Sequence, residues 1–348
     1  MDLDRPYISV IIPNFNRGDL LKETLESLVM QDFQDWEAII VDDGSGDESE
    51  QTANSFIQKD PRFRLHNREC LPSGAPVCRN IGIRMAKGSF LMFLDSDDLL
   101  RPFALSQRVE MTLMKPGFDF WVFPMLMFRD DPKNAKFFWN IDNGKPDLNR
   151  FLVLDAPWQT SGPLWRKEAV LKINGFTEGL ACWQDVDFHQ KALIAGLKGI
   201  KLYGLRPDVL YRQHETNSVS QGEISSPAKL NSRKEIFIRN TTSLLPLITP
   251  EIRADLGLLG GNIAIGAAKA LNQSICTSVI IFAFRNRIFT TATVIQLILI
   301  ELFYLLRLNR VPAFDREISR HIQKYRQDSN IGKHPYIQRQ EHGEGAGE

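Results

Sequence analysis

Apolar residues in the first part of the chain come in short unbroken runs, each closed by turn or acidic residues. Tyr7–Ile12 is β-branched and continuous, the pattern of a central parallel strand covered on both faces. Trp36–Val41 and Ser89–Leu94 repeat that pattern, and Phe63–His66 is a weaker version of it. Between the runs the period changes to that of helices. Leu21, Thr24, Leu25, Leu28 and Val29 follow Asp19 as N-cap, a polar surface helix fits 48–59, and a third helix runs through Arg79–Ala86 to a stop at Lys87-Gly88. Strands alternating with helices in this way predict the α/β class: a Rossmann-like, mostly parallel, doubly wound sheet flanked by helices.

The pattern stays readable further on. Phe103–Met114 is helical in spacing and Phe118–Phe123 is a strand. Residues 130–150 have no clear period and read as a loop or flap. A helix starts at Lys167, another runs from Trp183 to about Gly196, and a short strand covers Lys198–Leu202. From about 227 helices follow one another, which divides the chain into an α/β domain over 1–220, a helical region over 221–326 and a polar tail over 327–348 expected to lack order. Ala292–Leu308 is strongly apolar but interrupted by Gln296, Glu301 and Arg307. Spanning a bilayer takes roughly 20 mainly apolar residues, so a span fits poorly. Thr293, Gln296 and Arg307 share one side, which predicts a one-sided helix. The sequence leaves open whether 289–308 packs on a bundle, docks a partner or touches a membrane surface.

Composition narrows the class. With 348 residues, 43% of them hydrophobic and 24% charged, the chain can bury a sizeable core. Its 42 basic and 42 acidic residues balance, which argues against a nucleic-acid partner. Cys70, Cys78, Cys182 and Cys276 lack metal-ligand spacing and read as reduced packing thiols of a cytoplasmic protein. The polar start, Met1–Pro6, reaches a strand at once, so no secretory signal is expected.

Chemistry concentrates where strands end in acid. Leu94 is followed by Asp95, Asp97 and Asp98, and Val41 by Asp42 and Asp43. In extended backbone Asp95 and Asp97 point to the same side. Two adjacent carboxylates repel unless a cation neutralises them, and a hard ion such as Mg²⁺ or Mn²⁺ with oxygen ligands suits the place. Acids capping the next helix are the alternative.

The segments Val10–Arg17, Ile40–Ser45, Arg79–Gly82, Leu94–Asp98, Gly175-Phe176 and Trp183–Asp185 together resemble the family 2 glycosyltransferases, inverting enzymes of the GT-A fold that use nucleotide-sugar donors. The resemblance covers roughly residues 7–220 and leaves the last third without an anchor. It implies that Pro13 and Phe15 hold the nucleobase, that Asp43 accepts from it with Asp42 alongside, and that Arg79 reaches toward the nucleotide or the acidic turn. By the same resemblance Asp95 meets the ribose and Asp97 the Mn²⁺ or Mg²⁺ ion, with Asp98 and His214 as further metal ligands. Asp185 is then the base that deprotonates the acceptor, with Trp183 and Gln184 on the acceptor side. The family usually has Glu-Asp where this chain has Gln184-Asp185. The implied partners are a nucleotide-sugar donor, UDP-linked, and a glycan or lipid-linked glycan acceptor used in surface polysaccharide synthesis. The implied place is the cytoplasm, with peripheral contact at the inner face of the membrane. Two rivals differ in chemistry. A sugar-phosphate nucleotidyltransferase needs a Gly-rich phosphate loop where Pro13–Asn16 stands; a non-catalytic GT-A module serving as a scaffold is favoured only by Gln184.

Overall fold

Strands apolar at every position can be buried only between two layers, and the chain folds to provide both. The computed structural model describes residues 5–68, 73–214, 226–310, 312–323, 325 and 331–336. Its first half runs β1 (Ile8–Asn14), α1 (Gly18–Val29), β2 (Trp36–Asp42), α2 (Ser49–Ile57), β3 (Phe63–Asn67), α3 (Ala75–Met85), β4 (Phe90–Phe93), β5 (Leu99–Leu100), α4 (Ala104–Met114), β6 (Phe120–Val122) and β7 (Met125–Phe128). Then come β8 (Phe137–Phe138), α5 (Asp147–Leu152), β9 (Pro163–Arg166), α6 (Lys167–Lys172), α7 (Gln184–Ile194), β10 (Gly199–Lys201) and β11 (Val209–Arg212). Five helices follow: α8 (Pro227–Leu244), α9 (Pro250–Lys269), α10 (Gln273–Arg285), α11 (Thr291–Leu305) and α12 (Pro312–Gln323), before β12 (His334–Pro335).

The main sheet has seven strands in the order β10-β6-β9-β4-β1-β2-β3. β1 lies between β2 and β4, parallel to both, with Ile11 opposite Ile39 on one side and Phe93 on the other. Every residue of β1, β2 and β4 is buried. Ile8, Val10 and Ile12 join a cluster with Leu21, Leu25 and Leu28 of α1, whereas Ile11 faces Ile83, Phe93 and Phe188 on the opposite layer. β9 is antiparallel to both β4 and β6, so the sheet is mixed. An antiparallel neighbour needs no crossover helix, and β9 is entered from the loop after α5.

A second sheet, β12-β8-β7-β11-β5, had no clear trace in the hydrophobic pattern, because strands of two to four residues are too short to show alternation. It also alters two expectations. The stretch 130–150 is not simply a loop, since it contains β8 and the start of α5. Within the tail expected to lack order, 331–336 is described and places His334 opposite Phe138; 327–330 and 337–348 lie outside the described residues, as does Cys70.

The C-terminal helices close a separate apolar cluster around Leu256, Leu259, Ile263 and Ala264 of α9, joined by Leu152 of α5 and flanked by Trp183 and Ile194. Gly260 lets α9 approach closely, since a Cβ there would stand 2.7 Å from Phe237 Cζ. Among the described residues no helix is long and apolar enough to cross a membrane. α11 is one-sided in an unexpected sense. Its exposed side is aliphatic, while Thr293 and Gln296 are half-buried.

Gly82 fixes how closely α3 lies on β1, because a Cβ there would run into Ile11 Cγ2. Gly82→Ala is therefore expected to destabilise the fold by about 1–3 kcal/mol through overpacking. Urea denaturation measures this, and an unchanged midpoint would show that the α3–β1 contact gives way freely.

Candidate active site

Parallel β1, β2 and β4 bring their carboxyl ends to one edge of the sheet, where open α/β sheets bind ligands. β1 runs on through Pro13 to Asn14, so Pro13 is buried strand and not part of the loop. Phe15, the first residue beyond, is 54% exposed. An aromatic ring held open at the mouth of a site cannot be explained as core packing.

Asp42 is turned inward. Its carboxylate accepts hydrogen bonds from Asn14 Nδ2 at 2.8 Å, Ser45 Oγ at 2.7 Å, and the Gly44 and Ser45 N–H groups at 3.0 and 2.7 Å. With these four donors Asp42 ties the turn together, the turn chemistry expected of Asp-Asp-Gly-Ser. Asp43 beside it faces outward, pairing with Arg68 Nε and accepting from Gly74 N–H at 2.8 Å just before α3. Asp43 and burial together push the nearby Cys78 thiol up to about 12, burial being the larger cause, so Cys78 stays an inert thiol.

The acidic segment does not continue β4 as extended backbone. Asp98 N–H donates to Asp95 C=O at 3.0 Å and closes a turn, which sends the three carboxylates in three directions. Asp95 accepts from Arg79 Nη2 at 2.5 Å and Gln159 Nε2 at 2.8 Å. Asp97 meets His214 Nε2 at 2.7 Å and pairs with Arg17 Nη1. Asp98 is fully buried, accepting from Ser161 Oγ at 2.9 Å and the Arg212 N–H at 3.1 Å. Burial, with the charge of Asp95 adding to it, pushes the Asp98 carboxyl up to about 8. The Asp98 side chain thus faces the core, while those of Asp95 and Asp97 are partly exposed. Asp98 is not the cap of a following helix, since β5 comes next.

Asp97 and His214 remain as an oxygen and a nitrogen donor side by side, a pair that Mn²⁺ and Mg²⁺ differ in accepting: Mg²⁺ prefers oxygen throughout, Mn²⁺ tolerates imidazole. Burial, and then the cations Arg17 and Arg212, hold the His214 pKa below its usual value. Among the described residues no group of three His, Cys, Asp or Glu side chains converges. Arg17 Nη1 lies against both donors, so an ion here would have to displace it and draw its remaining ligands from diphosphate oxygens and water.

Asp185 enters from α7. Burial raises its pKa, Arg79 opposes the rise and Asp95 adds to it, so Asp185 shares one electrostatic neighbourhood with the Arg79–Asp95 pair. Trp183 starts the helix with a left-handed backbone, φ 58°, which a bulky residue adopts only when held. Arg233 of α8 lies 4.9 Å over its ring, and the side chain leans on the C-terminal cluster. Gln184 Nε2 donates to Leu180 C=O at 2.8 Å and so belongs to the same turn. The structure thus brings Asp43, Arg79, Asp95, Asp97, His214 and Asp185 to one edge and keeps Pro13, Asp42 and Asp98 in the supporting layer.

Several partners went unnoticed in the sequence. Arg17 stood inside a quoted motif without a role, and Arg68, Gln159 and Ser161 had no motif at all. Only Ser161, lying in a loop just before a strand and packed at 0% exposure, shows after the fact why it is there.

α8 was also unforeseen as a support for this edge. Ser232 Oγ accepts from Ala181 N–H at 2.9 Å, Asn240 Nδ2 donates to Gln190 Oε1 at 2.6 Å, and Arg239 pairs with the fully buried Asp187. Asp187 lies two residues after Asp185 on the same helix.

Comparison with known proteins bears on the family and the fold. Residues 9–147 match the family described as Glycosyl transferase family 2. Glycosyltransferase GlyG of Streptococcus pneumoniae is 39% identical over 94 residues, 27% of this chain and 31% of that protein. The GalNAc(5)-diNAcBac-PP-undecaprenol beta-1,3-glucosyltransferase of Campylobacter jejuni is 38% identical over 105 residues, 30% of this chain and 34% of that one. The matched stretch thus spans about a third of each of these relatives. Among solved structures, S. aureus TarS 1-349 in complex with UDP-GlcNAc has a TM-score of 0.57 at 17% identity, covering 86% of this chain and 91% of that one. The mannosyltransferase PcManGT from Pyrobaculum calidifontis, in complex with GDP-Man and Mn²⁺, has a TM-score of 0.50 at 16% identity, covering 92% and 85%. The fold is that of the GT-A glycosyltransferases.

The Asp187–Arg239 pair gives the support from α8 a measurable consequence. Arg239→Met leaves a buried carboxylate without its cation and should cost roughly 3 kcal/mol, the low end for such a loss because Arg239 is itself partly exposed. Asp187→Leu combined with Arg239→Met should recover most of it, since two apolar groups leave no uncompensated charge. Denaturation of the four proteins of this cycle measures the coupling. Additive losses would mean that the pair does not join α7 to α8.

Proposed function

We propose, from the match of residues 9–147 to the family 2 glycosyltransferases, that the chain moves a sugar, with inversion, from a nucleotide-diphosphate sugar to a hydroxyl acceptor. The observation that carries this reading is the placing of Asp185 within electrostatic reach of the Arg79–Asp95 pair, at the edge where Phe15 stands open. The donor is read as UDP-linked, in line with the UDP-GlcNAc in the TarS complex. The acceptor is read as a glycan or lipid-linked glycan, the class to which the undecaprenol-linked substrate in the name of the Campylobacter jejuni relative belongs. Surface polysaccharide synthesis at the cytoplasmic face of a membrane, with peripheral contact through 289–308, is the setting that fits both.

In this reading the Phe15 ring stacks on the base, and Asp43 with Arg68 presents a hydrogen-bonding edge to it. Asp95 accepts from the ribose hydroxyls, while Arg79, already beside it, turns toward the diphosphate. Asp97 and His214 hold Mn²⁺ or Mg²⁺. Such an ion, when bound, neutralises the charge that builds on the leaving diphosphate. Asp185 takes the proton of the acceptor hydroxyl as its oxygen bonds to the anomeric carbon and the bond to the diphosphate breaks on the opposite face. Burial favours this role by raising the Asp185 pKa above its ordinary value, while Arg79 opposes the rise. Trp183, held against α8, lends its half-buried ring to the acceptor side.

Asp97→Asn tests the ion. Calorimetry of UDP with Mn²⁺ should show affinity lowered by about tenfold or more with an unchanged melting temperature, because the side chain sits at a turn and supports little of the core. Equal affinity in mutant and wild type would remove Asp97 from the ion's ligands.

Asp185→Asn tests the base. Transfer should fall about 10²–10⁴-fold while donor affinity holds, since Asn keeps the shape and cannot take up a proton. In the wild type the rate should decline as pH falls through the raised Asp185 pKa, because protonation removes the base; the decline should begin above the usual carboxylate range. A variant with wild-type turnover would reduce Asp185 to a residue of the first turn of α7, and donor binding without turnover in both proteins would support the scaffold reading.

A further inference from the structure

α11 is turned inside out relative to an ordinary surface helix. Ile295, Ile298, Leu299, Leu302, Leu305 and Leu306 are all exposed, from 36% for Leu305 to 68% for Leu306. At 100° per residue they fall within roughly 120° of arc, a continuous aliphatic stripe. The more polar positions point the other way. Thr293 and Gln296 are half-buried, as is Glu301, the one charged residue between Thr291 and Leu305, which lies near the Cys276 thiol of α10. The stripe is therefore free of charge along its length.

Charge returns at both ends with a single sign. Arg285 and Arg287 precede the helix, Arg307 and Arg310 follow it, and all four are exposed. From Gln273 to Arg310 the count is four arginines against Glu301 alone, a net charge of +3. With 15 residues the helix is about 22 Å long, too short to cross a bilayer of about 30 Å hydrocarbon thickness. An uncharged aliphatic stripe bracketed by arginines matches a surface that is apolar inside and anionic at its rim: the acyl chains and headgroups of an anionic membrane. A second copy of the chain on the same stripe would bring like-charged arginines together and is disfavoured for that reason.

We propose that α11 lies in the plane of an anionic lipid surface, with Ile295, Ile298, Leu299, Leu302 and Leu306 among the acyl chains and Arg287, Arg307 and Arg310 at the phosphates. The proposal deepens the peripheral contact named in the function proposed above and shares its setting. It makes a lipid-linked acceptor accessible from the membrane plane, but it does not require the sugar-transfer chemistry to be right.

The test is flotation of the full chain with vesicles of phosphatidylcholine alone or with phosphatidylglycerol added, alongside hydrolysis of UDP-GlcNAc and UDP-glucose. Binding is expected to the phosphatidylglycerol vesicles and to weaken as salt rises. Ile298→Glu with Leu302→Glu should lower it about tenfold or more, Arg307→Glu with Arg310→Glu should lower it less, and neither pair should change the melting temperature or donor hydrolysis. Absence of vesicle binding by the wild type overturns the proposal, as does binding that the leucine and isoleucine changes leave intact. So does a wild-type dimer that these changes convert to a monomer, which would give the stripe to a second copy. Donor hydrolysis reports on the glycosyltransferase reading separately, so the two can fail independently.

Discussion

The active edge depends on one buried carboxyl. Asp98 cannot be solvated where it sits, and it is kept there by Ser161 Oγ, the Arg212 N–H and its own largely protonated state. Its carbonyl also accepts from Thr24 of α1 at 2.9 Å. A single residue thus fastens the acidic turn to α1, to β11 and to the loop before β9. Removing one of three neighbouring acids from the surface also removes its charge from the repulsion between the other two. Asp95 and Asp97 can then stand apart, each with its own partners, and the loops that carry those partners are fastened by the same contacts.

The outward acids follow a common rule: each is matched by an arginine from a different segment. Asp43 has Arg68, Asp95 has Arg79 and Asp97 has Arg17. Partly exposed pairs of this kind contribute little to stability, commonly under about 1 kcal/mol each. Their value lies in arrangement. A guanidinium held beside a carboxylate is already positioned for another oxyanion, so a diphosphate, on the proposed reading, would meet cations in place without a large cost of ordering them. A deeper pair has a different role: Arg108 and Asp208, both at 0% exposure, lie below the site, and Arg108 also donates to Ser161 C=O at 3.2 Å. That pair steadies the residue on which Asp98 depends.

How much of this could be read from the sequence follows from where the physics is local. The strands β1, β2 and β4 are buried on both faces, so continuous apolar runs announce them, and the acids Asp43, Asp95 and Asp97 follow the ends of β2 and β4, whereas Asp185 lies in the first turn of α7. What stayed hidden depends on distant partners. Asp95 and Asp97 share a side only if the chain stays extended, and a turn closed by Asp98 N–H separates them. Asp42 and Asp43 look alike in sequence; Asn14, far away in the chain, decides which one turns inward. The strands of the second sheet are too short to leave a period, and the inside-out character of α11 is visible only once its neighbours show which flank is covered.

The helical region bears on the chemistry although it carries none of the assigned groups. α7, which carries Asp185, begins at a residue in a left-handed conformation, and a bulky side chain there relaxes unless other contacts over-determine it. Those contacts come from α8: Arg233 over the Trp183 ring, Ser232 on the Ala181 N–H, Arg239 on Asp187 and Asn240 on Gln190. They grip α7 before, beside and beyond Asp185, so its approach to the Arg79–Asp95 pair is set from the C-terminal side as much as from the sheet. The α/β part and the helical region therefore have their own apolar clusters but are not two independent devices. If α11 rests on a membrane, the same packing through α9 and α8 joins the lipid surface to the base helix, and a lipid-linked acceptor would approach a site whose orientation that surface already sets.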